Sequence, residues 1–147
     1  MPSIFLDTNI PMYAAGAAHA LKQPSVDTLR LVEKAPSSFI TNAEVLREIL
    51  HRYVSIQRWQ QGRRVLLRFS SLMRGRTESV YSDDVVRAAE LADRYPRLDA
   101  RDLLHTAVMH RLGVRLIVSA DTKFDSVAGI ERLDPIKIEE WRDTVTA

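Results

Sequence analysis

The stretch Ser3-Ile4-Phe5-Leu6-Asp7-Thr8-Asn9 is a short apolar run without a turn residue, and it ends on an aspartate. It predicts a buried first strand with an acid at its carboxyl end. The arrangement recurs. Arg115-Leu116-Ile117-Val118-Ser119-Ala120 is the clearest central strand and meets Asp121, while Ser38-Phe39-Ile40-Thr41 reads as a strand that hands over to a helix at Glu44. In an open parallel α/β sheet these junctions face one edge, the carboxyl ends of the strands, where ligand crevices form.

Helical patterns fill the intervals. A helical segment should follow Asp7, and Pro24 to Glu33 opens with proline and serine and spaces its apolar residues amphipathically. From Glu44 onward, Val45, Leu46, Ile49, Leu50 and Tyr53 predict a long helix with one core stripe. Gly62 interrupts that helix or its continuation, and Leu66, Leu67, Phe69, Leu72 and Met73 carry the pattern to a stop at Gly75. Glu78 to Tyr81 is a third strand, and Ser82-Asp83-Asp84 starts a helix that Pro96 ends. Asp99 caps another helix, with Leu103, Leu104, Ala107, Val108 and Leu112 inward and Gly113 as its stop. Ile130 to Leu133 is an edge strand; the tail around Pro135 and Trp141 has no assigned structure. Strands alternating with helices predict an α/β fold, a three-layer α/β/α sandwich with a mainly parallel central sheet.

The 147 residues fit one domain, 1–147, large enough to bury a core without staples. The absence of cysteine removes disulfides, thiolate zinc sites and thiol nucleophiles, and fits a cytoplasmic protein. The four histidines lack HExxH-type spacing. Neither a signal peptide nor a membrane span is expected. The net charge of +2 hides a strong asymmetry: seven arginines and no acid lie between Ile49 and Thr77, leaving 14 basic against 19 acidic residues elsewhere. A basic stretch beside an acidic cleft suits a polyanionic substrate. A solvated helix face is the plain alternative.

Each acid also has a structural reading. Asp7 could hold a turn through its own backbone. Thr41-Asn42-Ala43-Glu44 matches a capping box, in which Glu44 would serve the helix rather than a ligand. Asp99 is a better N-cap than Asp102, and Asp121 could cap a short helix through Asp121-Thr122-Lys123-Phe124. Together, however, four acids without matched cations at one sheet edge would repel one another unless a hard cation joined them, and carboxylate oxygens suit magnesium or manganese.

Four blocks carry a resemblance: Ile4-Phe5-Leu6-Asp7-Thr8-Asn9, Thr41 to Glu44, Leu98-Asp99-Ala100-Arg101-Asp102-Leu103-Leu104-His105-Thr106-Ala107, and Val118-Ser119-Ala120-Asp121-Thr122-Lys123-Phe124-Asp125. In this order and spacing the chain resembles PIN-domain ribonucleases, most closely the VapC-type toxins of toxin-antitoxin pairs. The resemblance implies a metal-dependent endoribonuclease. Asp7, Glu44, Asp102 and Asp121 would be its catalytic quartet, holding Mg2+ or Mn2+, with Asp125 as a fifth acid that only some members have. Asn9 and Ser119 would support the carboxylates, whereas Asp99 and Glu48 match no motif and are read as structural. Hydrolysis by metal-activated water, products with 5′-phosphate and 3′-hydroxyl ends, a homodimer and a small antitoxin protein as partner are implied as well. Trp59, Leu66 and Phe69 are candidates for lining the antitoxin groove, though core packing suits each of them too. A haloacid dehalogenase-type phosphatase would need a second aspartate where Asn9 stands, and a receiver domain would need an acidic pair at the first strand end. The non-enzymatic alternative is a PIN module that binds RNA or a partner without cutting.

Overall fold

The computed structural model describes residues 3–146. Its centre is a five-stranded, wholly parallel sheet formed by β1 (Ile4–Leu6), β2 (Phe39–Asn42), β3 (Thr77–Glu78), β4 (Leu116–Val118) and β5 (Glu131–Leu133), in the order β3-β2-β1-β4-β5. All three β1 residues are buried, so both faces of the sheet are covered, as a parallel sheet requires. Ile4 pairs with Phe39 on one side and Leu116 on the other, which puts the first strand in the middle. The order reverses between β1 and β4, and the ends of these two strands form the switch-point crevice.

The helices are α1 (Asn9–Ala15), α2 (Lys22–Lys34), α3 (Ala43–Ser55), α4 (Trp59–Leu72), α5 (Ser82–Arg94), α6 (Ala100–Leu112) and α7 (Ile138–Thr146). They pair α1 with α2, α3 with α4 and α5 with α6. Phe5, Leu6, Ile10, Leu31, Phe39, Ile49, Met73, Leu91, Met109, Ile117 and Phe124 fill one continuous core. Trp59 and Leu66 are half-buried against it and Phe69 is buried within it, so all three contribute to the interior.

Three local expectations need correcting. The helix after β2 divides at residues 56–58, where Gln57 takes a positive φ of 58° and Arg58 N–H donates to the Tyr53 carbonyl at 2.8 Å. Gly62 lies inside α4, where a Cβ would sit 2.2 Å from Cβ of Tyr53; it is a close helix crossing, not a break. β3 is Thr77–Glu78 rather than 78–81, because Tyr81 is already the N-cap of α5 and donates its N–H to Asp84 Oδ2 at 2.8 Å. At the other end, the unassigned tail forms a short 3-10 turn and α7; α7 packs on α2 and is held where Trp141 Nε1 donates to the Asp134 carbonyl at 2.9 Å.

Candidate metal centre

Asp7 leaves β1 at the switch point. Its backbone N–H donates to the Val118 carbonyl at 3.1 Å, continuing the β1–β4 ladder by one step and fixing the carboxylate over the crevice. Oδ1 accepts from Thr8 N at 2.8 Å; Oδ2 accepts from Ser119 Oγ at 2.6 Å and Asn9 Nδ2 at 3.1 Å. Asn9 also donates to Ser119 Oγ and accepts from Ala120 N, so the two polar residues brace Asp7 between β1 and β4. Burial raises the Asp7 pKa; His105 and the Ser119 hydroxyl oppose the shift without cancelling it.

Asp102 starts α6. Asp99 is the N-cap, accepting from Asp102 N at 3.0 Å, while Asp102 Oδ2 reaches back to Asp99 N at 3.4 Å. Asp99 is the N-cap as expected, and Asp102 completes a capping box with it. Burial, followed by the charges of Asp99, Asp7 and Asp121, pushes the Asp102 carboxyl up to about 7. Lys123 works against that rise: its ammonium stands 3.6 Å from Asp102 Oδ2 and 3.6 Å from Asp121 Oδ2. Asp121 also caps the turn Thr122–Ser126 by accepting from Lys123 N at 2.9 Å.

Glu44 sits in the first turn of α3, but not in the expected capping box. Asn42 is the N-cap and its Oδ1 accepts from Val45 N at 3.0 Å, whereas Thr41 Oγ1 turns to the Leu6 carbonyl at 3.1 Å. Glu44 receives Nε and Nη2 of Arg47 at 2.6–2.8 Å. Asp125, the fifth candidate, is half exposed and faces Arg132, whose Nε and Nη2 donate to its two oxygens at 2.9 and 3.2 Å. The acids are thus not free of cations: Arg47, Lys123 and Arg132 neutralise the cleft in pieces. Among the described residues no three acid or histidine side chains yet enclose a common point as a metal cage.

The donor chemistry nonetheless fits a hard divalent ion. Asp7 and Asp102 are both pushed towards protonation, a cost that a cation removes. The Lys123 ammonium already sits where Asp102 and Asp121 ask for positive charge.

The PIN-domain family model matches residues 4–130, nearly the full span from β1 to β5. The chain belongs to the PIN-domain family. Among its relatives, a VapC ribonuclease of Mycobacterium bovis and ribonuclease VapC13 of Mycobacterium tuberculosis are each 41% identical over 136 residues, covering 88% of this chain and 98% of the relative. Ribonuclease VapC23 of M. tuberculosis is 39% identical, covering 80% of this chain and 92% of the relative. The fold is also that of VapC20 of M. tuberculosis, a sarcin-ricin loop cleaving toxin (TM-score 0.69, 21% identity, 86% and 95% of the two chains). The DNA-bound VapBC of Salmonella typhimurium has it too (TM-score 0.70, 16% identity, 92% and 99%).

This PIN domain holds three side chains beside its acids that the motifs did not single out. Glu48 follows Glu44 by one helical turn and is buried, with Oε1 2.8 Å from His105 Nε2 and Oε2 3.5 Å from Arg101. His105 follows Asp102 by one turn and is wholly enclosed. Burial lowers its pKa, but the Glu48 hydrogen bond and the Asp7 charge raise it more, so the net shift is upward. Lys123 is the third. For Glu48 and His105 the available signal was helical spacing, since residues three and four apart share a face.

Proposed function

We propose that this PIN domain is an endoribonuclease and the toxin of a toxin-antitoxin pair, with Asp7, Glu44, Asp102 and Asp121 holding Mg2+ or Mn2+. The observation that supports the reading is that the charges of Asp7 and Asp121 both act on Asp102, with the Asp7 and Asp102 carboxyls driven towards protonation and Lys123 3.6 Å from both Asp102 and Asp121. Relatives named VapC ribonuclease, alike over most of both chains, support the activity. A bound divalent ion supplies acidified water and neutralises charge developing on the phosphate.

The chain's own residues do the remaining work. Ser119 and Asn9 keep Asp7 aimed at the crevice. Lys123, now 3.6 Å from both Asp102 and Asp121, would be a cation on the rim able to meet an RNA phosphate if those carboxylates held a metal. Glu44 would serve as a ligand only with Arg47 turned away from it. Asp125, committed to Arg132, stays outside the ligand set in this reading.

The toxin-antitoxin and VapBC assemblies among the structural neighbours favour an antitoxin protein as partner, and a homodimer is part of the same proposal. No helix among the described residues is long and apolar enough to cross a membrane. Purified protein should cleave RNA only with added Mg2+ or Mn2+, and Asp7→Asn or Asp102→Asn should abolish cleavage while leaving the folded circular dichroism spectrum intact. Full activity in either variant, or in excess chelator, overturns the assignment; RNA binding without any cleavage would leave a binding module.

A further inference from the structure

We propose that Arg132 is a positioning residue which ties the two ends of segment 119–125 together and so holds Asp121 and Asp7 in place for a divalent ion. The inference rests on the proposed assignment of those two acids as ligands. Arg132 stands on β5, where its backbone pairs with Ile117 of β4, and its side chain is only 12% exposed. Its guanidinium reaches the carboxyl end of that neighbouring strand. Nη1 donates to the Ser119 carbonyl at 3.0 Å, while Nε and Nη2 donate to the two Asp125 oxygens at 2.9 and 3.2 Å. Asp134 Oδ2 stands 3.8 Å from Nη1.

The cleft residues of this side lie between those two points of attachment. Ser119 Oγ donates to Asp7 Oδ2 at 2.6 Å and accepts from Asp121 N at 2.9 Å, and Asp121 Oδ1 accepts from Lys123 N at 2.9 Å. Buried Phe124 also anchors the turn, but apolar burial is non-directional and does not aim a carboxylate. A guanidinium does have direction. Its donors form a rigid planar fork that can hold a carboxylate and a carbonyl at fixed angles, whereas a lysine supplies the same charge at one point. A half-exposed ion pair such as Asp125 with Arg132 contributes little stability, so what Asp125 adds is the place of the fork.

Charge and position predict different signs. Asp121 is near enough for its charge to act on Arg132, so on charge grounds alone removing the guanidinium strengthens cation binding and removing the Asp125 carboxylate weakens it. The same two signs would follow if Asp125 were itself a ligand held back by Arg132. Loss of position weakens binding in both. The test is calorimetric Mn2+ affinity of the full chain, measured well below each variant's melting temperature, so that a change in fold stability alone does not move it. Arg132→Met and Asp125→Ala should each bind Mn2+ about tenfold more weakly than wild type. Arg132→Lys keeps the charge, loses the fork, and should fall by a similar factor. Unchanged or tighter binding in Arg132→Met overturns the proposal, as does unchanged binding in Asp125→Ala or in Arg132→Lys. If Arg132→Met does not fold, Arg132→Lys decides by the same criterion. Asp121→Asn, the ligand control, should lose binding; undiminished affinity there sinks the ligand assignment itself, a separate failure.

Discussion

Asp102 bears opposing demands in one side chain. Its carboxyl, near 3.9 in an unfolded chain, titrates at about 7 in the metal-free fold, with burial as the leading cause. Between those values the folded state binds more protons than the unfolded one, so metal-free stability should fall as pH rises from about 4 to about 7 and stay low above. Asp102→Asn in chelator at pH 8 should therefore melt higher than wild type, by up to a few kcal/mol as an upper bound, and should gain less from Mg2+. Melting curves with and without metal check this; a variant that melts lower in chelator yet responds normally to Mg2+ would put Asp102 outside the site. Lys123→Met should do the reverse and lower metal-free stability at that pH by about 1 kcal/mol or less, since the ammonium is partly solvated, with Mg2+ restoring the loss. At this scale the sequence was legible where motif and strand end coincide, as at Asp7 and Asp121. Glu48 and Lys123 escaped because their roles come from partners distant in sequence: a histidine 57 residues on for Glu48, and α6 for Lys123.

Element boundaries show how tertiary contact overrides local pattern. The apolar stripe from Val45 to Met73 was correctly read as helical and is mostly buried, although Leu50 and Leu67 are exposed, and periodicity is blind to a chain reversal that keeps both arms on the core. The marker of that reversal is Gln57, a residue without glycine's licence for positive φ. Gly62, the natural suspect, instead lets α4 close on Tyr53 of α3. Gly62→Ala should accordingly cost about 3 kcal/mol, the upper end of the usual overpacking range, because the colliding atom is the root of Tyr53 and cannot swing aside. Urea denaturation measures it; a cost below 1 kcal/mol would show that the hairpin can open freely. The capping box at Thr41 misled for a related reason: Asn42 competes for the same helix end and wins, which frees Thr41 to tie β2 to the Leu6 carbonyl.

Across the whole molecule the arginine-rich stretch divides into two kinds of residue. Arg76 is drawn inward, donating to the carbonyls of Pro36, Phe39 and Leu72, and burial lowers its pKa. Arg52, Arg58, Arg63, Arg64, Arg68 and Arg74 are exposed along α3, α4 and their flanks. Reversing Arg63 and Arg64 to Glu should weaken RNA binding and reduce the slope of log affinity against log salt by about one to two units, as expected for two lost phosphate contacts. Arg76→Met should leave that slope unchanged and lower the melting temperature instead. Filter binding across a salt series, beside thermal melts, separates the two; an unchanged slope in the Arg63 and Arg64 variant would return these residues to a solvated face. Composition revealed the excess charge, but not which arginine was spent on the fold.

The sheet order has a consequence for the protein's birth. β1 is synthesised before every other strand of the sheet yet pairs with β4 on one side, and the hydrogen bond from Ser119 to Asp7 spans 112 residues. The crevice cannot assemble on a nascent chain until β4 and Ser119 have been translated, and such distant pairings close slowly. A ribonuclease built in this order carries no assembled crevice while only its first strand and the helices after it have been made, so synthesis itself delays the onset of activity.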